Sequence, residues 1–351
     1  MTGGEDDHEQ GRLSAWEAAW EVLAPMADLA TPMAVRVAAS LGLADLMAGA
    51  AVPVEELARR AGADADALGR LLRHLVCRGV FTEPEPGAFA VNAPAALLAS
   101  GHPSGMRARL DLDGFGGRMD LAFTGLLHTV RTGRPAWETV FGAPFWRHLA
   151  ENPAMSESFD AVMASGADYV ADAAGAYDWS GARHVVDVGG GTGALLAEVL
   201  SAHAGIRATL VDLPGTVERA RRHLAARGLG TRCAFAGQSF FDPLPAGGDV
   251  YVIRRVLHDW SDDEAVRILR RCADAAGRHG RVVVIESPGG SGDDPAPHAE
   301  MNLRMLVLSG GRERTVDDYT ALTTASALHL LNTQRTPLGQ LVLTCAPAPP
   351  E

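Results

Sequence analysis

The segment Asp187–Gly193 reads DVGGGTG and separates the apolar pair Val185–Val186 from a helical pattern that begins at Ala194. Glycine lets the chain turn sharply after a strand, and its missing Cβ lets a ligand approach the backbone. Downstream of Gly181, short apolar runs alternate with helical patterns, which is typical of a parallel, doubly wound α/β sheet. Ligands of such sheets bind beyond the carboxyl ends of the strands. The segment therefore predicts a ligand-binding loop, with a tight turn that binds nothing as the alternative.

The rest of the sheet is predicted from the same rhythm. Each apolar run is short enough for one strand and is bounded by turn or helix signals. The predicted strands are His184–Val188, Ala208–Val211, Cys233–Ala236, Val250–Ile253, Val282–Ile285 and Gln340–Leu343. We expect a Rossmann-like sheet with helices on both faces.

An acidic residue stands where the second predicted strand ends. Asp212 follows Leu210–Val211 and lies 23 residues after Gly189. A carboxylate at this place accepts hydrogen bonds from ribose hydroxyls. The glycines do not match the G-x-G-x-x-G fingerprint of nicotinamide cofactors. The two features together predict a ligand that contains a nucleoside, and a solvated Asp212 at a strand end is the alternative.

The N-terminal part predicts a separate, mostly helical domain. Helices over Val54–Ala61 and Asp64–Arg78 precede a hairpin formed by Val80–Thr82 and Ala88–Val91, which is a winged-helix pattern. Five arginines lie on those helices and favour a DNA-binding interpretation: Arg59, Arg60, Arg70, Arg73 and Arg78. Against it, 31 Lys plus Arg face 43 Asp plus Glu, a net charge of -12, which disfavours sequence-independent nucleic-acid binding.

Composition disfavours several other classes of protein. An uninterrupted apolar run of about 18 residues is missing, so we expect no membrane span. The start, MTGGEDDHEQGR, lacks the basic and apolar regions of a signal peptide. The cysteines at positions 77, 233, 272 and 345 are far apart and contain no CxxC, which indicates reduced thiols rather than a zinc site or disulfides. These features favour a cytoplasmic protein.

Four motifs in a fixed order then carry a specific resemblance: DVGGGTG, VDLP at Val211–Pro214, LHDW at Leu257–Trp260 and GGRERT at Gly310–Thr315. The chain resembles the class I S-adenosylmethionine-dependent O-methyltransferases, in particular the group of plant caffeate-type and bacterial aromatic polyketide enzymes. The resemblance covers nearly the whole chain. It implies methylation of a phenolic or enolic hydroxyl on an aromatic secondary metabolite, with S-adenosylhomocysteine as product and without a metal.

The resemblance also implies a domain organisation. A winged-helix dimerisation domain is expected over residues 1–105, a helical linker that contributes to the acceptor pocket over 106–180, and the S-adenosylmethionine-binding domain over 181–351. The expected partners are an aromatic small molecule and a second copy of the chain, paired through the N-terminal domain. A nucleic acid or a membrane is not expected.

The glycine loop and the two motifs after it supply the implied cofactor contacts. The resemblance places Gly189 and Gly191 beside the methionine part of the cofactor. It places Asp212 at the ribose, with Leu213 near the adenine.

Further cofactor contacts are implied before and after the fourth predicted strand. Phe240 is expected to pack on the adenine ring. Ser239 stands where the family usually has an acidic residue, which implies a modest loss of cofactor affinity. Arg254 matches a basic residue, often lysine, that approaches the cofactor.

The LHDW motif supplies the implied catalytic base, His258. Phenols titrate at a pKa of about 10 and histidine at about 6.5, so complete proton transfer in water is uphill by about 4.8 kcal/mol. A base that takes the proton while the C–O bond forms avoids a free phenolate. Glu286 and Glu313 match family carboxylates that face this histidine, and either can orient and compensate the imidazole. For Glu313, a surface ion pair with Arg312 or Arg314 is the alternative.

The acceptor side of the site is less specific in the sequence. Asn302 matches a residue that touches the acceptor hydroxyl, and Met163 a methionine that lines the cleft. Asp259 is expected near the sulfonium or the acceptor, and Met305 in the wall of the pocket. Aromatic residues between positions 115 and 163 are further candidates, most of them with a core role.

The same scaffold permits other functions. A C-methyltransferase is one alternative, because deprotonation of a phenol also activates its ortho carbon. Other relatives catalyse hydroxylation, decarboxylation or pericyclic rearrangement. A winged-helix transcriptional regulator with a small-molecule sensing domain is the alternative from another class.

Overall fold

The computed structural model describes residues 16–47, 49–164, 167–287 and 295–348. The acidic dodecapeptide at the N-terminus lies outside the described residues. Over the described part, the chain divides into two compact units, Met1–Gly117 and Arg118–Glu351. The finer division at residues 105 and 180 stays a prediction.

The first unit is mostly helical. Its helices are α1 (residues 16–27), α2 (Ala30–Ser40), α3 (Leu43–Leu46), α4 (Val54–Ala61), α5 (Ala65–Cys77), α6 (Ala93–Ala96) and α7 (Met106–Leu110). Its strands β1 (Val52–Pro53), β2 (Thr82–Glu85) and β3 (Ala88–Ala90) form a small sheet in the order β1-β3-β2. Both predicted helices are present, and the Asp64 side chain caps α5 by accepting a hydrogen bond from the Ala67 amide.

The predicted hairpin begins later than expected. Its first strand starts at Thr82 rather than Val80, because the buried Phe81 adopts a φ of 69° that interrupts extended backbone. Strand β1 was not predicted, since two residues are too short for a periodic signal. The hairpin with its preceding helices is nevertheless the expected β-wing.

The five arginines on the predicted helices all carry carboxylate partners. Arg59 and Arg60 pair with Glu56, Arg70 with Asp66, Arg73 with Glu83 and Arg78 with Asp28. A guanidinium already paired within its own protein offers less net charge to a phosphate backbone.

Helices α1 and α2 present much apolar surface. Trp16–Ser40, taken as one helical stretch of 25 residues, contains an 18-residue window with a mean hydropathy of 1.3, of which 11% is buried. By length and composition this stretch is able to cross a membrane, although no such run was expected from the sequence. The finding is weak evidence by itself, because a helix that packs on another protein has the same composition.

The second unit begins within α8 (Phe115–Leu121) and places helices on both sides of a sheet. The helices before the sheet are α9 (Leu126–Thr132), α10 (Ala136–Phe141), α11 (Phe145–Glu151), α12 (Pro153–Ala164) and α13 (Ala167–Gly175). Those that alternate with strands are α14 (Ala194–Ala202), α15 (Pro214–Ala226), α16 (Asp262–Ala276), α17 (Ala296–Leu308) and α18 (Val316–Ala325). Short 3-10 turns occur at Ala122–Gly125, Trp179–Gly181, Gly230–Arg232 and Leu257–Asp259.

Seven strands of the described chain form one sheet in the order β6-β5-β4-β7-β8-β10-β9. They are β4 (His184–Val188), β5 (Arg207–Asp212), β6 (Cys233–Gly237), β7 (Val250–Arg254), β8 (Arg281–Glu286), β9 (Leu328–Arg335) and β10 (Leu341–Pro347). The first five pair in parallel, whereas β10 runs antiparallel to β8 and β9. The strand order reverses between β4 and β7, and a crevice at such a reversal is where doubly wound sheets bind ligands.

All six predicted strands of the sheet are present. The sheet differs from the prediction in its antiparallel edge and in β9, which the sequence did not reveal. After its first residue, β9 is largely exposed and reads HLLNTQR, so it lacks the regular alternation that marks a half-buried strand.

The core of this unit lies on both faces of the sheet. One layer packs α14 and α15 against β4 and β5 through residues such as Leu196, Leu210 and Leu224. The other packs α16 and α18 against β7 and β8 through residues such as Tyr251, Ile268 and Leu322. Strands that are apolar on both faces are expected of a parallel sheet.

The turn after β4 requires glycine at two positions for different reasons. Gly189 has a φ of 73°, and a Cβ there would lie 2.6 Å from Cγ2 of Val256 in the loop after β7. Gly191 has a φ of 56°, but a Cβ there would meet nothing within 4 Å. The turn therefore brings two loops into contact at Gly189 and leaves open space at Gly191.

These two glycines predict unequal costs of substitution. Gly191→Ala introduces only the left-handed backbone strain and should lower the free energy of unfolding by about 1–2 kcal/mol. Gly189→Ala adds overpacking against Val256, a further ~1–3 kcal/mol. Urea unfolding of both variants measures the difference, and equal losses would contradict the close approach of the two loops.

Candidate active site

The turn after β4 is tied to the acid at the end of β5. The Asp212 carboxylate accepts hydrogen bonds from the Gly191 amide at 2.9 Å and the Leu213 amide at 2.7 Å, one on each oxygen. Burial raises the pKa of Asp212 to about 6, although these two amides lower it. Each oxygen keeps a second lone pair, so the carboxylate can still accept from a ligand hydroxyl.

Aromatic residues follow β6 on the same edge of the sheet. Phe240 lies against the Gly189 position, 3.6 Å from where its Cβ would be. Its ring meets Trp260 edge-on, with centroids 5.7 Å apart. The Ser239 hydroxyl accepts a hydrogen bond from the Phe241 amide at 3.2 Å. Ser239 thus supports the local turn next to Phe240, and its effect on cofactor affinity stays a prediction.

Two buried polar groups near the strand reversal have no hydrogen-bond partner among the described residues. They are Nε of Arg254, the last residue of β7, and Oδ2 of Asp187 in β4. Burial raises the pKa of Asp187 to about 7, against the nearby Arg254 charge that lowers it. Such unsatisfied groups are costly in a protein interior unless a ligand or water meets them.

The predicted base lies on the 3-10 turn Leu257–Asp259. His258 is 5% exposed, and its Nδ1 lies 2.9 Å from Oε1 of Glu313. Glu313 is also buried, which rules out the alternative of a surface ion pair with its arginine neighbours. Because an ionised carboxylate can only accept, Nδ1 donates, and in the neutral imidazole Nε2 is the nitrogen that can accept a proton.

Glu286 serves the same turn in another way. Its Oε1 accepts hydrogen bonds from the amides of Val256 at 3.0 Å and Leu257 at 2.8 Å, directly before His258. Its Oε2 has no partner among the described residues, and it makes no hydrogen bond to the imidazole there. Of the two predicted carboxylates, Glu313 therefore holds the imidazole, and Glu286 holds the backbone that carries it.

The charged groups that shift the pKa of His258 are carboxylates. Burial alone would lower its pKa, but the carboxylates of Asp259, Glu286 and Glu313 raise the pKa of His258 to about 9. Asp259 lies beside Nε2, with Oδ1 at 3.7 Å, beyond hydrogen-bond distance. The imidazole is consequently a much stronger base than a histidine in water.

The predicted acceptor residues are only partly brought together. Asn302 on α17 accepts a hydrogen bond on Oδ1 from the Glu313 amide at 3.0 Å, which leaves its Nδ2 to donate elsewhere. Met163 on α12 is 47% exposed, whereas Met305 is buried. The contacts of these methionines with an acceptor stay predictions.

A cavity of about 410 Å³ lies on one side of Trp260, two residues after His258. It is lined by His128, Arg134, Pro135, Glu138, Thr139, Pro144, Phe145, Trp146, Trp260, Leu308 and Ser309. Its volume falls within the range of small-molecule sites. The indoles of Trp146 and Trp260 stack there, with centroids 5.5 Å apart and planes 11° from parallel.

Comparison with known proteins decides the family. An O-methyltransferase domain matches residues 123–328, and an O-methyltransferase dimerisation domain matches residues 26–101. The chain belongs to the S-adenosylmethionine-dependent O-methyltransferase family. The family and fold class predicted from the motifs are confirmed.

Individual relatives of this methyltransferase have different reactions in their names. A 2,7-dihydroxy-5-methyl-1-naphthoate 7-O-methyltransferase of Streptomyces carzinostaticus is 46% identical over 87% of this chain and 92% of its own length. Aclacinomycin 10-hydroxylase RdmB of Streptomyces purpurascens is 44% identical over 88% of this chain and 84% of its own length.

A solved structure agrees with the fold. An O-methyltransferase from neocarzinostatin biosynthesis, in complex with S-adenosylmethionine and 2-hydroxy-5-methyl naphthoic acid, superposes with a TM-score of 0.86. It is 42% identical and covers 92% of this chain and 98% of its own.

The sequence did not reveal one link between the two sides of the methyltransferase site. Arg219 on α15, the helix after Asp212, forms a buried ion pair with Asp160 on α12 and also donates to Ser156. Helix α12 carries Met163, so this link fixes the predicted acceptor wall relative to the acid at the end of β5. Residues about sixty positions apart give no periodic signal of their pairing.

The electrostatics of His258 predict a pH dependence. Only the neutral imidazole accepts a proton, so with a pKa of about 9 the value of kcat/KM should rise about tenfold per pH unit up to pH 9 and then level off. The groups that face this base are Asp259 on its own turn, Glu286 from β8 and Glu313, which itself faces Arg255 and His298.

Glu313→Gln tests this interpretation. Loss of one negative charge lowers the pKa of His258, so the midpoint of the pH profile should move to lower pH while the maximal rate falls. The pKa of a free phenol is the same for both enzymes and serves as the internal control. A profile with the same midpoint in the variant would show that the enzyme's base is not what titrates.

Proposed function

We propose that this chain methylates a phenolic hydroxyl of a small aromatic metabolite, with His258 as general base. The observation that carries the proposal is the buried Nδ1–Glu313 hydrogen bond, which leaves Nε2 of His258 as the proton acceptor. S-adenosylmethionine supplies an electrophilic sulfonium methyl group when bound. An enzyme that transfers this group to oxygen needs a positioned base and no covalent intermediate on the protein.

The residues present fit that cofactor. Asp212 keeps a lone pair on each oxygen for the ribose hydroxyls, and Phe240 offers an aromatic face for the adenine. Gly191 borders open space, and Arg254 has a polar atom without a partner in the described chain. Together with Gly189 and Leu213 these groups support binding along the carboxyl edge of β4, β5 and β7.

The raised pKa of His258 suits a phenolic acceptor. With S-adenosylmethionine bound, the acceptor hydroxyl would give its proton to Nε2 as its oxygen takes the methyl group from sulfur, which would leave as S-adenosylhomocysteine. Glu313 would stabilise the imidazolium. With pKa values of about 9 and about 10, this proton transfer is uphill by about 1.4 kcal/mol rather than about 4.8. An acceptor with a more acidic hydroxyl would need this base less.

The cavity beside Trp260 supports an aromatic acceptor, and its lining residues do not include His258 or Asn302. Its stacked indoles and Phe145 offer flat apolar contacts, while His128, Arg134 and Glu138 supply polar groups at the wall. A bicyclic hydroxyarene fits this volume and chemistry. The names of the naphthoate methyltransferase and of the solved complex support the same class.

The central test is product analysis. The purified protein, incubated with S-adenosylmethionine and a panel of hydroxynaphthoic acids, should add about 14 daltons, one CH₂ net, to an oxygen of one acceptor. Fragmentation mass spectrometry locates the added group. His258→Ala should lower turnover about 10²- to 10⁴-fold and leave S-adenosylhomocysteine binding intact.

Three outcomes of that test would contradict the proposal. A methyl group on carbon would indicate C-methylation. An acceptor that gains an oxygen atom and no methyl group would indicate a hydroxylase, the activity in the name of the aclacinomycin relative. Undiminished turnover of His258→Ala would remove the base. Asp212→Asn is the cofactor control, because it should weaken S-adenosylhomocysteine binding in calorimetry without affecting the base.

We further propose a homodimer formed through the N-terminal unit. The dimerisation domain match covers residues 26–101, and α1 exposes Trp16, Trp20 and Leu23 at 62%, 58% and 63%. Three large apolar side chains on one helix are costly in water and are typical of an interface. The paired arginines of this unit support association with protein rather than with DNA.

A charge on the apolar helix face should separate the dimer. Trp20→Glu is expected to give a monomer in light scattering, because an unpaired carboxylate would be buried at the interface. Glu17→Gln, an exposed polar position on the same helix, should remain dimeric. An unchanged dimer in Trp20→Glu would place the interface elsewhere.

A further inference from the structure

The segment Gly310–Thr315, here termed the clamp loop, encloses the turn that carries His258. The Arg312 amide donates to the His258 carbonyl at 2.9 Å. A Cβ on Gly311 would lie 2.1 Å from that same carbonyl oxygen, so only glycine permits this approach. The loop therefore contacts the base through its backbone as well as through the Glu313 side chain.

Arg314 is the remaining side chain of this loop directed at the turn. It is completely buried, with 0% of its surface exposed. Its Nη1 donates to the Leu257 carbonyl at 2.6 Å and its Nη2 to the Trp260 carbonyl at 2.7 Å. Its Nε donates to Oδ1 of Asp262 at 2.9 Å, at the start of α16.

The two carbonyls lie on either side of His258 and Asp259. A planar guanidinium presents its donors at fixed angles, so it sets the distance between Leu257 and Trp260 more rigidly than a flexible amine would. A buried guanidinium is also costly in free energy unless it is fully hydrogen-bonded. The arrangement in which Arg314 makes all these hydrogen bonds is therefore more stable than arrangements of the turn that break them.

We propose that Arg314 is a positioning residue for the base. It acts through the Leu257 and Trp260 carbonyls to hold the turn at the geometry in which Nδ1 of His258 meets Glu313. The proposal rests on the proposed function, since it assigns Arg314 a role in that reaction. Small displacements of a reacting group cost large rate factors, so the effect belongs in kcat rather than in binding.

Arg312 provides a matched control on the same loop. Its side chain is 51% exposed and pairs with Asp262 at 3.3 Å and Asp318 at 3.9 Å. It therefore shares the Asp262 carboxylate with Arg314. Among the described hydrogen bonds, the Arg312 side chain donates to no carbonyl of the turn. If the charge of this loop matters in general, substitution of either arginine should lower kcat. If positioning matters, only substitution of Arg314 should lower it.

The kinetic test uses Arg314→Met, Arg314→Lys and Arg312→Met. For Arg314→Met we expect kcat to fall about 10²-fold, with acceptor KM and the affinity and number of S-adenosylhomocysteine sites within about twofold of the native enzyme. Arg314→Lys retains the cation and some donors and should recover about tenfold of the loss. Arg312→Met should keep kcat within about twofold.

A second readout is independent of turnover. The Nδ1 proton of His258, assigned by its absence in His258→Ala, should give a protected NMR resonance in the S-adenosylhomocysteine complex. It should exchange rapidly with water in Arg314→Met and stay protected in Arg312→Met. This NMR measurement tests the role of Arg314 even if the native enzyme transfers no methyl group. Absence of methyl transfer in the native enzyme would contradict the proposed function and not the role of Arg314.

Three results would overturn the proposal. One is an Arg314→Met enzyme with native kcat and a protected Nδ1 proton. Another is a loss of kcat matched by an equal loss of S-adenosylhomocysteine sites, because misfolded protein explains that loss. The third is an equal loss in Arg312→Met, which would assign the effect to the charge of the loop.

Discussion

The hydrogen bond between Nδ1 of His258 and Glu313 is the interaction on which the chemistry of this fold depends. It fixes Nδ1 as the donor to a buried carboxylate and leaves Nε2 outside this hydrogen bond, 3.7 Å from Oδ1 of Asp259. Two further carboxylates, Asp259 and Glu286, increase the basicity of the same ring. An imidazole among three carboxylates is stable mainly in its protonated form, so the site favours the state that exists after the acceptor has lost its proton.

The sheet topology explains why these groups meet. The strand order reverses between β4 and β7, and the loops after these strands touch where Gly189 approaches Val256. The predicted cofactor groups follow β4 and β5, whereas His258 follows β7 and Glu286 ends β8. Parallel strands bring all four carboxyl ends to one edge, so cofactor groups and base become neighbours although they are far apart in sequence.

Local signals predicted much of this arrangement, and they failed where tertiary contacts decide. The glycine turn, the parallel strands and helix α4 each have their own periodicity or glycine pattern. Strand β9 has an irregular, exposed sequence that only its pairing with β10 makes extended. For His258 the motif predicted the residue, but two carboxylates were equally good partners. The choice of Glu313 depends on how the clamp loop packs, which no spacing in the sequence reveals.

Overall identity does not choose between methyl transfer and the other reactions of this scaffold, since an O-methyltransferase at 46% and a hydroxylase at 44% are nearly equally similar. A buried general base separates reactions that deprotonate the acceptor from reactions that do not, and methylation of a phenol on oxygen or on carbon belongs to the first kind. A base with a pKa of about 9 is of little use to a reaction in which the acceptor loses no proton. Burial alone disfavours the charged imidazole, but the three carboxylates outweigh it, because the pKa of His258 is raised rather than lowered. This basicity, together with the buried hydrogen bond from Nδ1 to Glu313, suits an acceptor that loses a proton, as a phenol does.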